Sequence, residues 1–122
     1  MTLRGLIRPL AVLVLSTAPA FAVQTKDGNQ ATLRAIDKVT GAVADLNVPA
    51  GGQAVFGHMT VDVGECRYPV LNPSGDAFAW VEIQMTGDKE PSFKGWMIAS
   101  APALDALDDP RYDVWLLRCT TS

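Results

Sequence analysis

Clusters of lysine and arginine are missing from this sequence. Its ten basic residues are scattered among thirteen acidic ones, for a net charge of −3. Nucleic-acid binding needs a basic face, so that class is excluded. Attachment to anionic lipid is excluded on the same ground. Histidine occurs once, at His58, with no nucleophile beside it, which leaves little for acid–base or hydrolytic chemistry. Cysteine occurs twice, at Cys66 and Cys119, far from the C-x-x-C spacing of a redox or zinc motif. No glycine loop precedes a helix pattern as a phosphate cradle would, and no serine sits in a nucleophile elbow. The chain has no internal repeat, linker or low-complexity tract. Charged residues make up 19% and aromatics 7%, so the few large rings stand out.

The first 22 residues are of another kind. Arg4 and Arg8 precede an apolar run, Leu10 to Leu15, and Ala20-Phe21-Ala22 closes it. This is the layout of a secretory signal peptide cut after Ala22. The run is too short to cross a bilayer, which takes about 20 residues. No later run reaches that length, and no cysteine follows Ala22 to take a lipid. The expectation is a single periplasmic β-domain over 23–122. Losing Arg4 and Arg8 leaves it eight basic against thirteen acidic residues. In an oxidising compartment Cys66 and Cys119 most simply form one disulfide. Closing a loop of about fifty residues contributes roughly 3–5 kcal/mol in the chain-entropy model.

Alternation marks six strand patterns. Ala31–Asp37 and Ala42–Val48 flank Lys38-Val39-Thr40-Gly41 as a hairpin. Gln53 to Glu65 reads as one long strand, with Val55, Met59, Val61 and Val63 on one face and Phe56 and His58 on the other. Gly57 and Gly64 interrupt it, and a bulge there is needed to turn Cys66 inward. Phe78–Met85, Ser92–Ile98 and Tyr112–Cys119 are the remaining strands. On the last, Trp115, Leu117 and Cys119 alternate with Tyr112, Val114 and Leu116. Ser100 to Asp109 reads as one or two helical turns that pack Leu104 and Leu107 on the sheet. The fold class is mainly β: a small antiparallel barrel or sandwich of about six strands with one short helix, closed by one disulfide.

Metals and cofactors are not expected. Asp105, Asp108, Asp109 and Asp113 lack the spacing of a calcium loop. Met59, Met85 and Met97 are spread over three strands and read as core filling. The rings offer the best hint of function. Alternation turns Phe78 and Trp80 outward, Trp96 follows on the next strand, and Tyr112 and Trp115 lie on opposite faces of the last. Either the fold covers these five, or they form a docking surface for another protein. A second option is a small-molecule or cell-envelope binding module with a ligand in the mouth of a barrel.

The block Phe93-Lys94-Gly95-Trp96-Met97-Ile98-Ala99-Ser100-Ala101-Pro102-Ala103-Leu104-Asp105-Ala106-Leu107, then Pro110-Arg111-Tyr112-Asp113-Val114-Trp115 and Cys119, resembles a family of small secreted proteins of Gram-negative bacteria catalogued as a domain of unknown function. That pattern runs F-x-G-W-M-F-A-S-S-P-x-L-x-A-L-E-H-P-x-Y-D-V-W and then a cysteine, with an upstream cysteine matching Cys66. The likeness covers residues 31 to 119. Ile98 stands for an aromatic, Ala101 for a serine, and Asp108-Asp109 for a glutamate–histidine pair. The resemblance implies no enzyme activity. It implies an accessory subunit on the periplasmic side of the respiratory NADH:quinone oxidoreductase (complex I), with a membrane-embedded respiratory complex as partner.

Overall fold

The computed structural model describes residues 23–121; the leader expected over residues 1–22 lies outside the described residues. Eight strands follow one another: β1 (Thr25–Asp27), β2 (Gln30–Asp37), β3 (Val43–Pro49), β4 (Gln53–Phe56), β5 (Met59–Pro69), β6 (Phe78–Met85), β7 (Phe93–Ile98) and β8 (Tyr112–Thr120). All pair antiparallel. One sheet, A, runs β1-β5-β6-β7, with β4 also on β5; the other, B, runs β3-β2-β8. The two pack face to face as a sandwich and do not close into a barrel.

Inward positions explain the packing. Leu33 and Ala35 of β2 and Val114 and Leu116 of β8 meet Met59, Val61, Val63, Val81 and Ile83 of sheet A in one buried cluster. Strands β6 and β7 bury every second residue, as the pleat requires. Met59 and Met97 lie in that core and Met85 packs on it, so the methionines fill space.

The structure departs from the sequence pattern at four places. The long strand 53–65 is a hairpin. Gly57 has φ +60 and, with His58, makes the two-residue turn joining β4 to β5. The reversal leaves Val55 65% exposed and turns Phe56 onto the core. Second, β1 pairs with the end of β5, Thr25 to Pro69. Its Thr-Lys-Asp sequence has no apolar residue, so it leaves no alternation to read. Third, Ser100–Asp109 forms turns, and no helix occurs among the described residues. Ser100 donates from both its N–H and its hydroxyl to Asp76 and does not cap. So short a segment between Pro102 and Pro110 cannot offset the cost of a helical nucleus. Leu107 is buried and Leu104 is 75% exposed. Fourth, a register shift between Thr32 and Leu33 leaves Leu117 without a partner on β2. Cys119 therefore points inward with Tyr112, Val114 and Leu116. The bulge expected near Gly64 is present: pairing shifts between Val63 and Glu65, and Cys66 faces the core.

The chain crosses between the sheets three times, and a disulfide stands beside the first crossing. Cys66 of β5 and Cys119 of β8 form a disulfide between sheet A and sheet B, with Cα atoms 5.8 Å apart. Beside it the chain passes from β1 to β2. There the Gly28 N–H donates to the Cys66 carbonyl at 2.6 Å and the Asn29 N–H to the Thr120 carbonyl at 2.7 Å. A Cβ on Gly28 would lie 3.1 Å from the Thr120 carbonyl.

Asp37 ends β2 with its side chain 8% exposed. Its carboxylate accepts from Arg111 Nη2 at 2.9 Å and Nε at 3.1 Å, and from the Val39 and Thr40 N–H groups. The Arg111 hydrogen bonds hold its pKa down from 3.8 to about 2, against the opposing effect of burial. A depressed carboxylate pKa stabilises the fold fully above the unfolded value and ceases to do so as pH falls through the folded one. The stability advantage of wild type over Asp37→Asn should therefore be complete at about pH 5 and vanish toward about pH 2. Urea midpoints measured across that range check it; an advantage unchanged with pH counts against the pair.

Candidate interaction face

The outer surface of sheet A is set by the β6–β7 register. Phe78 opposes Ile98, Trp80 opposes Trp96, and Glu82 opposes Lys94. Side chains directly across an antiparallel pair touch. The Trp80 and Trp96 rings accordingly meet edge to face, with centroids 5.8 Å apart. Trp96 is 39% exposed; Phe78 and Trp80 are half-buried. Trp80 leans over the bulge on β5, where a Cβ on Gly64 would come within 3.0 Å of its ring. A side chain at 64 would press on that ring.

Charge frames these rings. The Arg67 guanidinium lies 5.8 Å over Trp96 and pairs with Glu65 at 3.2 Å and Asp27 at 3.6 Å. Lys94 and Glu82 are 3.7 Å apart. A groove of about 440 Å³ runs beside Trp80, lined by Gly51, Gly52, Asp62, Gly64 and Glu82.

Three of the five aromatic candidates therefore come together: Phe78, Trp80 and Trp96. Two do not. Tyr112 is buried at 3% exposure. Its ring meets Phe56 edge to face at 6.1 Å, and its hydroxyl accepts from the His58 N–H at 3.0 Å. It is a core residue and is corrected as a contact candidate. Trp115 lies on the outer side of sheet B, opposite Arg34. The segment 102–106 partly covers it, leaving a groove of about 310 Å³ lined by Pro102, Ala103 and Ala106. It belongs to a separate surface.

Residues 31–119 match the family model described as "Uncharacterized protein conserved in bacteria (DUF2155)". This chain belongs to that family. It is also similar to a Rickettsia prowazekii (strain Madrid E) protein, "Uncharacterized protein RP359", at 22% identity over 102 residues. The match covers 81% of this chain and 66% of that protein, so the chain spans just under two thirds of its relative's length. No solved structure matches.

Within this DUF2155 chain the remaining chemical candidates lie apart from the rings. His58 sits exposed in the β4–β5 turn, and its carbonyl accepts from Thr86. Asp109 is structural: its Oδ1 accepts from the Arg111 and Tyr112 N–H groups at 2.8 and 2.9 Å, setting the start of β8. Asp105 rests against Gly95 of β7, where a Cβ would overlap its carboxylate. Among the described residues no cluster of His, Cys, Asp and Glu could hold a metal ion. Arg67, Gly64 and Asp62 escaped the sequence reading of this face. Glu82 was accessible to it, since it alternates with Trp80 on β6. Arg67 was not, because its place over Trp96, two strands away, is set by the register across β6 and β7.

Proposed function

We propose that this protein is a non-enzymatic interaction domain that works in the periplasm after export and docks on another protein through the outer face of sheet A. The proposed partner is complex I, on its periplasmic side. The observation that carries the reading is the Trp80–Trp96 pair, held edge to face and partly exposed beside Phe78. Tryptophans with this combination of rigid placement and accessible area dominate interface energetics. The face is rimmed by charge and centred on rings, as contact surfaces are. What gathers there supplies contact area and not a nucleophile–base pair. A ligand module relying on interior space has less support, because Leu33, Val61, Val81, Ile83 and Leu116 fill the interior.

The test uses membranes of the native organism extracted in mild detergent. The chain, beginning at Val23, is expected by mass spectrometry in the complex I fraction. Trp80→Ala with Trp96→Ala should remove about 2 kcal/mol or more of binding, roughly 30-fold, and release the protein to the soluble periplasmic fraction. A chain that never accompanies a membrane assembly, or a double variant that stays attached, would overturn the proposal.

A further inference from the structure

Resting on the docking reading, we propose that the groove beside Trp80 receives a lysine or arginine side chain presented by the protein partner. Asp62 of β5 and Glu82 of β6 are directly opposed across the strands. Like charges in that position repel and weaken a sheet. Glu82 is partly compensated by Lys94 at 3.7 Å. Asp62 has no ion pair among the described residues. Asp62 and Glu82 line one groove together with Trp80, Gly64, Gly51 and Gly52. An indole face with carboxylates beside it is the combination that holds a cationic side chain, by attraction to the ring and by charge.

The same surface contains this arrangement already filled. Arg67 lies over Trp96 and is neutralised by Glu65 and Asp27. At Trp80 the ring and the carboxylates recur, and no cation–π pair among the described residues involves that ring. Charge complementarity therefore selects a basic partner segment. The repulsion between Asp62 and Glu82 is what such a side chain would relieve on binding.

The probe is a blocked tripeptide with a central arginine, titrated into isotopically labelled protein purified from the periplasm. The three tryptophans provide three indole N–H signals. Saturable movement of the Trp80 indole and the Gly64 amide is expected, with Trp115 unmoved. Asp62→Asn with Glu82→Gln should weaken binding about tenfold at low salt, and raised salt should weaken it further in wild type. Citrulline in place of arginine should abolish the shifts. Equal shifts with citrulline, or unchanged affinity in the Asp62→Asn/Glu82→Gln variant, would overturn the groove assignment. Methylguanidinium binding as tightly as the tripeptide would overturn the partner assignment in favour of a small free cation. Failure here is distinguishable from failure of docking as such. In the membrane assay Trp96→Ala then still detaches the chain, while the carboxylate variant stays bound.

Discussion

Replacing Cys66 and Cys119 together by alanine is expected to lower stability by about 4 kcal/mol, with a fall in Tm of roughly 15–30 °C. The bridge spans a sequence separation of 53, and constraining a loop of that length in the unfolded chain gives the figure. The fold adds a second reason. β8 belongs to sheet B and β5 to sheet A, so no ladder hydrogen bonds join them. The disulfide cross-links the layers at the point where Gly28 and Asn29 bond to both. Without it the buried end of β8 depends on side-chain packing and its pairing with β2. Thermal unfolding of wild type, of wild type with reductant, and of the double variant checks this. A loss below about 1 kcal/mol in both perturbed forms would mean that sheet packing alone carries the fold.

Tyr112→Ala should cost about 3–5 kcal/mol, as truncation of a core aromatic does. The ring is 3% exposed and packs on Phe56. Its hydroxyl, adjacent to Gly57, holds the turn between β4 and β5: a Cβ at Gly57 would overlap that oxygen. Tyr112→Phe keeps the ring and loses only the acceptor for the His58 N–H, so it should cost about 1 kcal/mol. Urea unfolding separates the two. The pair also separates a core role for Tyr112 from a contact role. If Tyr112→Ala unfolds like wild type yet detaches the chain from its partner, the residue belongs to the docking face after all.

The strand content was largely legible because each long strand buries one side. Ala31–Asp37, Phe78–Met85 and, as far as Leu116, the last strand each alternate, and alternation is what a half-buried pleat demands. The hairpin at Lys38–Gly41 was legible from its glycine, which has φ +78. The bulge at Gly64 could be inferred because Cys66 had to reach the core. β1 and the β4–β5 turn were not legible. Three polar residues give no period, and a glycine flanked by apolar residues suits a bend inside a strand as well as a reversal. The segment 100–109 was misread because Leu104 and Leu107 fit helical spacing, while the acceptor that recruits Ser100 is Asp76 on another loop.

The candidate site divides in the same way. That Phe78 and Trp80 face outward follows from counting along β6. That Trp96 meets Trp80 does not, because strand neighbours and register are set by pairing across the sheet and not by any one strand's own pattern. The separation of Trp115 from the other rings, and the burial of Tyr112, depend on which sheet β8 joins.

The order of residues thus determined the period of the long strands, the two sulfurs available for bonding and the supply of rings, since these are local properties of chain chemistry. The assignment of strands to two layers, the gathering of Phe78, Trp80 and Trp96 with Arg67, and the opposition of Asp62 to Glu82 were decided only in three dimensions. Antiparallel pairing brings together residues far apart along the chain, and one unmatched residue shifts everything beyond it.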